Sequence, residues 1–314
     1  MRIAITILFV FSVCTAWILG EDDSQVRKSQ TIIRTEVAIV NVIFTAKDRR
    51  GRHVEGLTAD DFLLYEDGVP QKIEYFSEPD KKSKGNNTPL TIVFLIDTSA
   101  SVKDKLKYEK ATAAEFFRTI LRPNKDLAAI IQFDSDVNLV QDFTQSPDDL
   151  LNALDTLTIG SSTALYDAIY LASEEKLKQE IGRRIIVVIT DGEDMSSKVR
   201  KEEAIEAAQR RDVMIYGIGV RGTGYGTNFG VLREFAEDTG GMFFSPRAGL
   251  KEIREAFNAI GDELQEQYSL AYRSSNILRD GTYRSIDLRC KKGGVRIRAR
   301  KGYYAPKANP KDTW

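Results

Sequence analysis

The 314-residue chain holds one histidine, two cysteines, two tryptophans and eight prolines, and its 45 Lys and Arg against 46 Asp and Glu leave a net charge of −1. A lone histidine, His53, excludes a multi-histidine zinc site, and Cys14 with Cys290 cannot build a cysteine-rich one. A Ser-His-Asp triad would have to use His53, which lies between Gly51 and Gly56 in a segment that reads as an exposed hairpin turn. Without a charge excess of either sign there is no whole-molecule field to hold nucleic acid or an anionic membrane. No nucleic-acid partner is therefore expected, and no small-molecule substrate is expected either.

The one long, almost unbroken apolar stretch spans 3–19, after Arg2 and before the acidic Glu21, Asp22 and Asp23. A single leading charge, a short apolar core and an abrupt polar boundary fit a signal peptide over 1–20. An uncleaved anchor and lipid modification at Cys14 are the alternatives. The expected location is outside the cytoplasm: periplasmic, cell-surface or secreted. With the leader removed, Cys290 would be the sole thiol, so no intramolecular disulfide is expected and Cys290 reads as a small buried apolar residue.

At roughly 150 residues per domain the length suits about two domains. Residues 31–78 alternate apolar and polar positions between Gly and Asp turns, as a small antiparallel β unit does. Residues 79–89 lose that pattern and concentrate Pro, Lys, Asn and Gly, as a linker does; the Asn86-Asn87-Thr88 sequon inside it reads as incidental. From 90 to 266 bare apolar strands (91–96, 127–133, 185–189, 213–220, 242–245) alternate with helical segments (103–121, 148–157, 165–180, 202–211, 231–238, 250–266). Bare strands joined by helices predict a parallel sheet covered on both faces. Short strands return over 267–306. The expected fold is α/β: a doubly wound, mostly parallel sheet inserted into a discontinuous β-sandwich made by the two ends of the chain.

In a doubly wound sheet the ligand crevice lies at the carboxyl ends of the strands, where their order reverses. Three polar pieces fall on that edge: Asp97-Thr98-Ser99-Ala100-Ser101 after the first strand, Gly160-Ser161-Ser162-Thr163 before a helix, and Thr190-Asp191-Gly192 after the third strand. Asp97, Asp191 and the hydroxyls of Ser99, Ser101 and Thr163 are all hard oxygen donors. They suit a small divalent cation at about 2.0–2.1 Å that keeps several waters, Mg²⁺ first, with Mn²⁺ or Ca²⁺ possible.

Asp97-x-Ser99-x-Ser101, Thr163 and Asp191 resemble the metal-ion-dependent adhesion site of von Willebrand factor type A domains, over about 90–266. The resemblance implies that Ser99, Ser101 and Thr163 reach the metal directly, that Asp97 and Asp191 act through water, and that a partner protein's carboxylate completes the shell. Ser161-Ser162 depart from the family's usual glycine before the threonine. The phrases Leu57-Thr58-Ala59-Asp60-Asp61-Phe62, Tyr65-Glu66-Asp67-Gly68 and Arg298-Ala299-Arg300-Lys301-Gly302-Tyr303-Tyr304 also resemble bacterial exported proteins with a von Willebrand-related domain.

A strand followed by an aspartate also opens haloacid dehalogenase-type phosphohydrolases, but Ser99 occupies the place where their second acid stands. Gly222-Thr223-Gly224-Tyr225-Gly226 lacks phosphate-loop spacing and reads as a loop at the lip of the metal face. Phe133-Asp134-Ser135-Asp136 reads as a solvated turn, Arg296, Arg298 and Arg300 as a cationic stripe on a solvated sheet face, and Phe116-Phe117 with Tyr303-Tyr304 as core and interface aromatics. The expectation is a non-enzymatic, metal-dependent protein-binding module that grips an acidic group. The alternatives are a structural subunit of a cell-envelope assembly and a metal-dependent phosphate-ester hydrolase.

Overall fold

The computed structural model describes residues 39–79, 88–122, 124–221, 227–246 and 250–308. The expected leader with Cys14, most of the expected linker with Asn86 and Asn87, and the glycine-rich segment 222–226 lie outside them.

The central sheet consists of β5 (Leu90–Asp97), β6 (Leu127–Phe133), β7 (Val137–Thr144), β8 (Arg183–Thr190), β9 (Val213–Gly219) and β10 (Phe243–Phe244), in the order β10-β9-β8-β5-β6-β7. All neighbours are parallel except the edge pair β6 and β7. Every residue of β5 and β9 is buried, which is why these strands read as unbroken apolar runs rather than alternating ones. Ile92, Phe94 and Ile96 point to one face, where α1 (Lys103–Ile120), α2 (Pro147–Thr156) and α6 (Leu250–Gln265) supply Phe116, Phe117, Leu154, Phe257 and Ile260. Val93 and Leu95 point to the other, under α3 (Leu165–Leu171), α4 (Lys201–Arg210) and α5 (Phe229–Thr239). Local signals set the helix ends. Ser146 caps α2, accepting from the Asp149 N–H at 3.2 Å with Pro147 in the first turn, and Gly240 closes α5 at φ 83°.

The first and last parts of the chain interleave. One antiparallel sheet has the order β13-β1-β11-β4, from Arg296–Ala299, Ile39–Lys47, Tyr268–Arg273 and Ile73–Ser77; the other has the order β14-β12-β2-β3, from Gly302–Tyr304, Tyr283–Cys290, Phe62–Glu66 and Val69–Gln71. Each sheet mixes strands from both chain ends, and their inner faces share Val42, Phe44, Phe62, Leu64, Tyr268, Leu270, Ile286 and Leu288. Phe44 stacks on Tyr268 at 5.4 Å and meets Phe62 edge-on at 5.0 Å. The expected discontinuous sandwich around a doubly wound sheet is the architecture observed.

Four expectations change. Strand β7 gave no signal because neither of its faces is fully buried, so Val137–Thr144 reads as loop. His53 is not an exposed turn residue: its side chain is 4% exposed and stacks on Tyr268 at 5.4 Å, with Nδ1 3.9 Å from Glu266. Cys290 is free but half-buried against the sandwich core. The arginine stripe is not a free face. Arg298 donates to Glu263 of α6, and Arg300 donates to Asp212 after α4 and to the Asn41 carbonyl, so these side chains tie the sandwich to the α/β layers. Among the described residues no helix is long and apolar enough to cross a membrane.

Candidate functional site

Successive strands run outward from β5 in one direction through β6 and β7, and in the other through β8, β9 and β10. The order therefore reverses between β5 and β8, and the crevice at their carboxyl ends is the expected ligand position. Asp97 is the last residue of β5 and Thr190 the last of β8. The Thr190 hydroxyl donates to Asp97 Oδ2 at 2.6 Å, and the Ser99 N–H to Asp97 Oδ1 at 2.8 Å. Both carboxylate oxygens are thus held by the loop and strand that follow.

Ser99 and Ser101 lie in the turn leading into α1, with their hydroxyl oxygens 3.0 Å apart, and the Ser101 hydroxyl donates to Asp191 Oδ2 at 2.7 Å. Asp191 Oδ1 accepts from the Glu193 N–H at 3.1 Å. Four of the five expected residues therefore form one hydrogen-bonded chain, Asp97 to Ser99 to Ser101 to Asp191. The fifth, Thr163, precedes α3, and its carbonyl accepts from the N–H groups of Met195 and Ser196 at 2.9 and 3.0 Å. Its loop is thereby tied to the loop that begins with Asp191. Asp97, Ser99, Thr163 and Asp191 are at most 4% exposed, and Ser101 is half-buried.

Burial pushes the Asp97 carboxyl up to about 6, against the lowering hydrogen bonds from Thr190 and Ser99 and with a further upward push from the Asp191 charge. Among the described residues no Lys, Arg or His side chain forms an ion pair with Asp97 or Asp191, and no group of three or more His, Cys, Asp or Glu side chains is placed to hold a metal. The donor set is two carboxylates with hydroxyls. That chemistry fits a hard divalent cation.

A second layer of residues went unrecognised in the sequence. Thr190 was visible only as the neighbour of Asp191. The Ser197 hydroxyl accepts from the N–H groups of Tyr166 and Asp167 at 3.0 Å each and donates to Asp194 at 2.6 Å, while Asp167 Oδ1 accepts from the N–H groups of Lys198 and Val199 at 2.9 Å. These bonds clamp the start of α3 to the Asp191 loop across about 30 residues of sequence, a separation that no local pattern encodes. Asp134 is half-buried rather than fully solvated: it accepts from the Thr98 hydroxyl at 3.4 Å and packs on Gly160, where an added Cβ would lie 2.2 Å from its carboxyl carbon.

Gly192 has φ 84°, and a Cβ there would lie 2.4 Å from the Asn228 carbonyl oxygen. The Asn228 N–H in turn donates to the Asp191 carbonyl at 3.0 Å. A side chain would force both the left-handed backbone and this backbone contact. Gly192→Ala is expected to cost about 2 kcal/mol or more in urea unfolding; an unchanged midpoint would show that the loop gives way freely.

An open, mostly parallel sheet covered by helices on both faces, with a hydroxyl and carboxylate cluster at its switch point, defines a doubly wound domain of the von Willebrand type. Residues 91–258, more than half of the chain, match the von Willebrand factor type A domain family, and the chain belongs to it. It is 28% identical over 183 residues to an uncharacterized protein of Borreliella burgdorferi, in a match covering 49% of this chain and 53% of that protein. The chain thus spans about half the length of the curated relative it matches. Among solved structures, proximal thread matrix protein 1 from the mussel byssus superposes with a TM-score of 0.50 at 18% identity, covering 60% of this chain and 49% of that one. The conserved hypothetical protein BatB from Bacteroides thetaiotaomicron gives 0.46 at 21% identity, covering 55% and 99%. At 18% identity the likeness to the mussel protein is one of fold.

Proposed function

We propose that the chain is an exported, divalent-cation-dependent protein-binding module of adhesion type, in which Ser99, Ser101 and Thr163 hold the cation directly and Asp97 and Asp191 hold it through water. The observation that carries this reading is a pair of buried carboxylates, joined through two serine hydroxyls and paired with no cationic side chain among the described residues. Two such charges in a desolvated site repel one another and call for a compensating cation. A Mg²⁺-class ion there would offer an electrophilic position to an acidic side chain of a protein partner. Neutral hydroxyls as direct ligands leave the ion's charge largely uncompensated, which favours that incoming carboxylate.

The chain's own residues orient the site. Thr190 and the Ser99 N–H fix the Asp97 carboxylate, the Glu193 N–H fixes that of Asp191, and the Ser197 clamp holds the Thr163 loop in register. With both its oxygens engaged, Asp97 is poorly disposed to act as a nucleophile, which supports a binding role over a hydrolytic one. In this reading 90–266 is the binding domain, carried by sandwich halves 31–78 and 267–306 beyond the 79–89 linker, and 1–20 is the export signal that brings it to the periplasm, cell surface or medium.

Calorimetric titration with Mg²⁺, Mn²⁺ and Ca²⁺ tests the proposal. Saturable binding is expected in the unsubstituted protein and its loss in both Ser99→Ala and Asp191→Ala. Binding that survives both substitutions, in folded protein, would move the cation elsewhere and sink the assignment.

A further inference from the structure

The opposite end of the parallel sheet is also hollow. The amino ends of β8 and β9 and the outer face of the sheet formed by β1, β11 and β4 enclose a cavity of about 820 Å³, within the roughly 300–1,000 Å³ range of small-molecule pockets. Its walls include Ile43, Val213 and Met214, and at its mouth Ile39 and Tyr75 are 52% and 60% exposed.

Arg183, the first residue of β8, lines the same cavity and is 4% exposed. Its Nη1 donates to the Leu264 carbonyl at 2.6 Å and to Gln267 Oε1 at 2.7 Å, while its Nε has no acceptor. Among the described residues no carboxylate pairs with it. The other buried arginine, Arg284, has Glu66 at 3.6 Å. A buried guanidinium that meets only neutral oxygens is incompletely compensated, although the last turn of α6 contributes its carbonyl dipoles. Burial accordingly pushes the Arg183 guanidinium down to about 10.

We propose that this cavity binds an apolar organic carboxylate, its head paired with Arg183 and its hydrocarbon body laid against Ile43 and Met214. The planar guanidinium matches a carboxylate head better than it matches a neutral or cationic one. Arg184 and Arg300 also line the cavity against one acid, Asp212, which is paired with Arg300, so the local charge favours an anion. This site shares no residue with the Asp97 cluster and does not depend on the cation.

Calorimetry of the purified protein with decanoate and with decyltrimethylammonium, which carry the same tail under opposite heads, tests the proposal. Saturable binding of decanoate alone is expected. Arg183→Met is expected to weaken it by about tenfold or more, the loss of a charge-assisted pairing. Ala271→Phe gives a second variant that leaves Arg183 in place. Ala271 lies on the cavity face of β11, opposite the core positions Leu270 and Tyr272, so the new ring would occupy the cavity and abolish binding. Ser99→Ala should bind decanoate as the unsubstituted protein does. The proposal is overturned if decanoate does not bind, if both heads bind alike, or if Ala271→Phe keeps the original affinity.

Discussion

Raising the pH of the metal-free protein from about 3 to about 7 is expected to cost about 3 kcal/mol of unfolding free energy, through Asp97 alone. Below its ordinary value of 3.8 the carboxyl is protonated in both the folded and unfolded chain and contributes nothing to the difference. Between 3.8 and about 6 the folded protein binds the proton that the unfolded chain has released, so stability falls as pH rises. Above about 6 both forms are ionised, and the folded state carries the full penalty of a desolvated charge beside Asp191. A divalent cation binds the ionised form, so saturating Mg²⁺ should offset that penalty above pH 6 and do little at pH 4. Urea unfolding across this range, with and without Mg²⁺, measures both slopes. Asp97→Asn should flatten the metal-free slope; a slope that persists unchanged would assign the titration to another group.

The second large effect lies in the sandwich. Arg284→Met is expected to destabilise the protein by about 3–5 kcal/mol, because it strands a buried carboxylate. Glu66 and Arg284 are each 2% exposed. Glu66, on β2, accepts from the hydroxyls of Tyr272 at 2.7 Å, Ser274 at 2.5 Å and Tyr303 at 3.0 Å, with the Arg284 guanidinium at 3.6 Å. Burial and the Glu66 charge together push the Tyr272 hydroxyl well above its ordinary range, so it remains a donor. One acid from the front of the chain is thus enclosed by four groups from its end, and losing the arginine leaves the charge uncompensated at the junction of the two halves. Glu66→Gln combined with Arg284→Met should recover part of the loss. If the double variant is no more stable than Arg284→Met, the cost comes from packing rather than from the orphaned charge.

Most of the doubly wound sheet was legible because its strands are buried on both faces and its helices are amphipathic, so the periodicity of 90–266 changes abruptly at each boundary. Strand β7 was not, since its faces carry no consistent contrast. The residues of the Asp97–Asp191 cluster were legible because they stand at strand ends in the type of fold that places ligands there. Their supports, Thr190, Asp167, Asp194 and Ser197, were not, since each acts through a hydrogen bond whose partner is set by the tertiary path. His53, Arg298 and Arg300 were misread for the same reason. A histidine between glycines or an alternating cationic strand is locally polar, and only the surface packed against it decides whether it is solvated.

What the sequence determined by itself was therefore the class of the fold and the donor chemistry at one sheet edge, both of which follow from local periodicity and from residue types at short spacing. Only the tertiary structure decided which strands of the two chain ends pair within the sandwich, that Arg298 and Arg300 bind that sandwich to α6 and to the segment after α4, and that a guanidinium lines a hollow far from Asp97. These features join residues as many as 259 positions apart. Their energies come from desolvation and pairing across surfaces that exist only once the chain has folded.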